Sequence, residues 1–151
     1  MVEDRLRGMG LSLPEAAAPV AAYVPFVRAG DLLHVSGQLP RDVNGIIQGT
    51  LGQDMNAEAG ARAAQACALA LLAHVRRACD GDWDRLVRVV KLTGFVASAP
   101  GFFDQPKVIN GASELMAAVL GERGQHARSA VGVAALPLGA AVEVEGVFQL
   151  R

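Results

Sequence analysis

The sequence predicts an α+β sandwich, one mixed β-sheet with two helices on one face, in the element order β-β-α-β-α-β-β. Three observations lead there. Alternating, β-branched runs open and close the chain, while two stretches between them repeat apolar residues at three and four. Apolar residues make up 52% of the sequence but aromatic ones only 5%, so the bulk is Ala, Val and Leu, which suit close packing of helices on a sheet. A length of 151 residues fits one ordinary domain, spanning 1–151, with enough chain to bury a real core.

Residues 1–22 read as a short helix over "VEDRLRGMG" followed by an extended arm, because Pro14 and Pro19 punctuate "LSLPEAAAPVAA". "YVPFVRAGDLLHVSGQ" then forms a hairpin about Ala29-Gly30-Asp31. Leu33 and Val35 share one face, and Leu32, His34 and Ser36 the other. A Gly-rich loop runs from Leu39 to Met55. Asn56 caps a long helix that Gly81 ends, with Ala61, Ala64, Ala68, Leu72, Val75 and Cys79 as its apolar stripe and Glu58, Arg62, Gln65, Arg76 and Asp80 on its wet side.

"RLVRVVKLTGFVAS" is a β-branched strand, with Val90, Leu92, Gly94 and Val96 expected on one face. A second helix spans about Asp104 to Leu120, carries Ile109, Ala112, Met116 and Val119 inward, and stops at Gly121. Two strands follow, self-paired around a "LPLG" turn that Pro137 and Gly139 favour. In the last of them Val142, Val144, Gly146, Phe148 and Leu150 point one way and Glu143, Glu145, Val147 and Gln149 the other. Helices should cover the apolar side. The mixed side, which Arg128 is expected to join from the neighbouring strand, must then face water or another subunit, and another subunit is the favoured reading.

Fourteen Lys plus Arg against fifteen Asp plus Glu give a formal charge of -1, with no basic run to neutralise successive phosphates, so nucleic acid is a poor candidate partner. The N-terminus mixes acids with bases, and no window holds the roughly 18 uncharged apolar residues of a membrane span. A soluble, cytoplasmic protein with no membrane partner is expected. Cys67 and Cys79 on one helix would stand about 18 Å apart, too far for a disulfide, and read as buried thiols. No HExxH, CxxC or grouped His/Asp set points to a metal. His74 reads as a helix-surface residue and His34 as a sheet-face residue. There is neither a Gly-Lys-Ser/Thr phosphate loop nor a Gly-x-Ser-x-Gly nucleophile elbow, and Ser36 is more a hydrogen-bond donor than a nucleophile.

Taken alone, Arg128 is an ordinary strand cation that could pair with Glu143 or Glu145 across the sheet. The motifs add another reading. "SGQLP" at 36–40 and "ARSAVGVAALPLGAAVEVE" at 127–145 resemble the signatures of the RidA family, also called YjgF or endoribonuclease L-PSP proteins, and the resemblance runs from Tyr23 to Phe148. Tyr23 stands thirteen residues before Ser36 and Glu143 fifteen after Arg128, separations that also match the family's ligand site.

The resemblance implies a chorismate-mutase-like protomer, a homotrimer with ligand clefts between neighbouring subunits, and hydrolysis of 2-aminoacrylate-like enamines and imines to a 2-keto acid and ammonia, without metal or organic cofactor. It implies that Arg128 clamps the substrate carboxylate and Glu143 holds the attacking water, while Tyr23, Ser36, Gly37, Asn110 and Ala130 contribute to ligand binding. The alternative is a trimeric binding protein that holds a carboxylate metabolite without turning it over. Gly132, Ala130, His126 and Ser113 stand where the family's archetype has glutamate, cysteine, proline and tyrosine, which marks a divergent branch. His126 could touch the ligand or shield the arginine. Gly94 and Gly132, inside strands, suggest close backbone approach between subunits or beside the cleft.

Overall fold

The computed structural model describes residues 1–18 and 22–151. Pro19, expected to punctuate the arm, lies outside the described residues. The elements are α1 (Val2–Gly8), β1 (Phe26–Ala29), β2 (Leu32–Gln38), β3 (Arg41–Asp42), β4 (Gly45–Ile46), α2 (Ala57–Ala78), β5 (Leu86–Ala97), α3 (Gln105–Leu120), β6 (Ala127–Val133) and β7 (Val142–Leu150). The main sheet is mixed, in the order β1-β2-β7-β5-β6; β5 and β6 run parallel and the other neighbours antiparallel. α2 and α3 pack on one face of it.

The predicted elements form for the predicted local reasons. Asn56 accepts a hydrogen bond from the Ala59 amide at 2.8 Å and so caps α2. Beyond the C-terminus of α2, Asp80 and Gly81 take positive φ, and Gly121 does the same after α3. Buried Val2 and Leu6 hold α1 to the helical layer, and the Arg5 guanidinium donates to the Val119 carbonyl at 2.9 Å. Both cysteines are free and buried.

Four expectations need correction. The stretches now seen as β6 and β7 are not a hairpin, because β5 lies between them. A twelve-residue apolar strand needs hydrogen-bonding neighbours on both edges, and α3 supplies the crossover that a parallel pair requires. Residues 134–141 then carry the chain across the end of β5, where Ser98 donates to the Val133 carbonyl and Ala97 to that of Ala141. The Gly-rich loop also contains a small hairpin, β3–β4, turned by Asp42, whose side chain accepts from the Asn44 amide at 2.8 Å.

The third correction concerns β5. Its register against β7 shifts between Leu86 and Arg88 and again between Val89 and Lys91. Each bulge adds a residue and reverses the alternation, so Val89 takes the buried place expected for Val90, while Leu92, Gly94 and Val96 stay inward. The fourth is His74, which is 1% exposed rather than on the surface, with its ring edge-on to Phe26. α2 packs against both the sheet and α3, so its buried arc is wider than a single stripe.

Small residues let the helices approach closely. A Cβ at Gly111 of α3 would strike the Ala61 carbonyl of α2, and one at Gly94 would strike Ile109. Gly94 therefore serves helix-on-sheet packing within the chain. On an exposed helix, Gly→Ala stabilises by about 1 kcal/mol. At residue 111 the sign reverses, because backbone cannot yield as a side chain does: Gly111→Ala should lower stability by about 1–3 kcal/mol, read as a lower denaturant midpoint at unchanged slope.

Candidate functional site

Arg128 sits on β6 level with Leu92 of β5. Leu92 is buried beneath the helices, so the parallel register turns Arg128 toward α3. There its Nη1 donates to Asn110 Oδ1 at 2.8 Å and to Ser113 Oγ at 3.2 Å, two residues one turn apart on α3. His126 closes the group, with Nε2 2.9 Å from Ser113 Oγ and Nδ1 2.6 Å from the Gly124 carbonyl. Ala130, level with Gly94, follows on the same side of the strand. None of the ion pairs among the described residues involves Arg128.

Glu143 lies elsewhere. It is level with Phe95, three residues along β5 from Leu92 with no bulge between, and an odd offset places it on the opposite face from Arg128. Two strands across and three residues along, the two Cα atoms are on the order of 14 Å apart. The expectation that Arg128 shares the mixed face with Glu143 and Glu145 is therefore overturned, and with it the cross-sheet ion pair. A hairpin would have aligned them; the intervening parallel strand does not.

Around Glu143 the second group assembles. The register of β2 on β7 shifts between Val35 and Gln38, and this bulge brings Gly37 against Glu143, whose carboxylate fills the space a Cβ at residue 37 would need. Burial pushes the Glu143 carboxyl above the ordinary glutamate range, and the charge of Glu145 adds to the effect. The Ser36 hydroxyl donates to the Val24 carbonyl at 2.8 Å and its amide to that of Pro25, so Ser36 ties the arm to the sheet. Tyr23, 59% exposed, lies just before this tie. Tyr23 and Gly37 line one cavity of about 540 Å³ with Pro25, Leu39, Leu69 and His74.

The predicted residues thus fall into two sets within the chain: Arg128, Asn110 and Ala130 at the β6 edge, and Tyr23, Ser36, Gly37 and Glu143 at the β2 bulge. Sequence reasoning did not place Ser113 in the first set. Its spacing of three from Asn110 on a predicted helix was the available signal. Gly132 meets Gln105 and Ser98 of its own chain, which accounts for the missing side chain there. Among the described residues no group of three or more His, Cys, Asp or Glu side chains could hold a metal ion. Among the described residues no helix is long and apolar enough to cross a membrane.

A mixed sheet with helices on one face, its last two strands separated by the long strand β5, is the fold of a YjgF-type protein. The chain belongs to that family: the model described as "YjgF/chorismate mutase-like, putative endoribonuclease" matches residues 3–148. Protein TCP17 of Trypanosoma cruzi is 51% identical over 99% of this chain and 94% of its own. The crystal structure of Atu1372 from Agrobacterium tumefaciens, a protein of unknown function, is 48% identical with a TM-score of 0.94, covering 99% of this chain and 92% of that one. RidA from an Antarctic Psychrobacter species is 27% identical with a TM-score of 0.60, over 90% and 94% of the two chains. The distance from the RidA structure fits a divergent branch.

The raised Glu143 carboxyl has a consequence for stability. Its neutral form is favoured in the fold, so the stability it contributes is complete below the ordinary glutamate pKa and is lost as pH rises through the folded value. Glu143→Gln should therefore be more stable than the parent at pH 8, and the difference should vanish near pH 4, as thermal unfolding at the two pH values would reveal.

Proposed function

We propose that the protein hydrolyses reactive enamines and imines of the 2-aminoacrylate type to a 2-keto acid and ammonia, in clefts between the subunits of a homotrimer. Arg128 of one protomer would there meet Tyr23, Ser36, Gly37 and Glu143 of its neighbour. The observation that carries this reading is the neutral setting of the Arg128 charge. Its hydrogen-bond acceptors are an amide and a hydroxyl, so the guanidinium keeps its charge for a mobile anion.

The chemistry follows from the two sets. The substrate carboxylate lies on Arg128 and sets the C=N carbon in place. Ionised Glu143 takes a proton from water as the water oxygen adds to that carbon, and passes it to the imine nitrogen, giving a carbinolamine. Glu143 then takes the hydroxyl proton as the C=O bond forms and delivers it to the nitrogen as the C–N bond breaks, leaving the ketone and ammonia. A carboxyl whose pKa is raised by burial holds a proton more readily than an ordinary glutamate, which suits the proton transfers of this cycle. The reaction needs neither metal nor organic cofactor.

Two surface features support subunit contact. The sheet face away from the helices carries exposed Val27 and Val131 with half-buried Leu32, Phe95 and Val147. Among the described residues the outer edge of β6 has no strand partner, and Arg128 is the strand's sole charge. The ribonuclease activity in the family's description has less behind it, since a formal charge of -1 and few aromatics suit a polyanion poorly.

Added to an enzymatic source of 2-aminoacrylate, the protein should accelerate pyruvate release, and Arg128→Ala should lower kcat/KM by roughly 10- to 150-fold, the size of a charge-assisted hydrogen bond. Glu143→Gln should still bind pyruvate but turn over little. No acceleration by the wild type, with pyruvate bound in calorimetry, would replace the enzyme with a carboxylate-binding protein. Sedimentation should give a trimer, and a monomer would sink the shared cleft.

A further inference from the structure

We infer that Ser113 and His126 are positioning residues for Arg128, and that they restrict its ligand to a planar carboxylate docking on the Nε–Nη2 edge of the guanidinium. The inference rests on the carboxylate-binding role proposed above. A guanidinium offers five N–H donors, two on each Nη and one on Nε. Both hydrogens of Nη1 are spent, one on Asn110 Oδ1 at 2.8 Å and one on Ser113 Oγ at 3.2 Å. Three donors remain, one on Nε and two on Nη2, and the Nε–H with the Nη2–H beside it forms a side-on fork whose parallel bonds match the two coplanar oxygens of a carboxylate.

The partners of Nη1 are themselves held. The Gly124 carbonyl can only accept, so the contact at 2.6 Å places a proton on His126 Nδ1. In the neutral ring Nε2 is then an acceptor, and the Ser113 hydroxyl donates to it across 2.9 Å. Every donor points the same way: Arg128 to Ser113, Ser113 to His126, His126 to backbone. The anchor is rigid, because buried Gly124 lies so close to the Met116 carbonyl that a Cβ would not fit. Losing His126 frees the Ser113 hydroxyl to turn, and losing Ser113 frees Nη1 to swing toward the ligand side. Ser113 and His126 are two of the positions where the chain departs from the family archetype, and the fold joins them in one hydrogen bond.

Arginine Nε–Hε NMR of the intact protein, with pyruvate as probe, tests this. Adding pyruvate should shift the Arg128 Nε–Hε signal. Ser113→Ala and His126→Phe should weaken pyruvate binding roughly three- to tenfold, the size of one neutral hydrogen bond, and should erode the preference for pyruvate over its phosphonate analogue. Ser113→Thr, which keeps the hydroxyl, should restore both. Pyruvate binding that leaves the Nε–Hε signal in place would overturn the inference while the carboxylate reading stood. So would Ser113→Ala and His126→Phe proteins that bind like the wild type when Arg128→Ala does not. A wild type that binds no pyruvate at all would remove the reading on which both rest.

Discussion

The parallel docking of β6 on β5, with Arg128 level with Leu92, is the constraint on which the rest of the molecule turns. β5 is a long apolar strand in the sheet interior, and one of its edges is already taken by β7. Filling the other edge with the strand after α3 makes that strand parallel, and a parallel register fixes which of its residues share a face with the helices. Arg128 falls on that face. A slip of one residue would turn the guanidinium away from Asn110 and Ser113 and expose the helical layer to Ala127 and Ser129 instead.

The helical layer is thin enough for this to work. Ala63, Ala64, Cys67 and Ala68 lie on the buried side of α2 in its N-terminal half, and Gly111 lets α3 come against the Ala61 carbonyl. Bulkier helices would stand further from the sheet and from the edge strand. The low aromatic content of the chain is therefore linked to the site: small side chains bring α3 within hydrogen-bond reach of an arginine on the strand below. Cys67 belongs to the same economy of space, a buried thiol whose pKa is raised by desolvation and by the nearby charge of Glu143.

The two polar sets are opposite solutions to burying a charge. Arg128 is half-buried among neutral acceptors that orient it without cancelling it. Glu143 is half-buried against Gly37 and beside Glu145, a setting that disfavours its ionised form. Each arrangement would trade folding stability for the reactivity proposed for these two groups. The chain matches the Atu1372 structure closely and that of RidA more loosely, as a divergent branch of the family would.

Local and periodic features were legible in the sequence: the Asn56 cap, the glycine stops, the inward residues of α3 and of β7, and the motifs that resemble the YjgF family. These depend on neighbours a few residues away, and spacing along the chain records them. Three things were decided only by the tertiary structure. The bulges of β5 moved Val89 into the place expected of Val90, because alternation cannot announce an extra residue. His74 was buried because α2 is covered from two sides. Arg128 and Glu143, which a hairpin would have brought face to face, were placed on opposite sides because a strand distant in sequence hydrogen-bonds between theirs. Strand neighbours are chosen by the burial of the whole sheet, and no short window of sequence carries that choice.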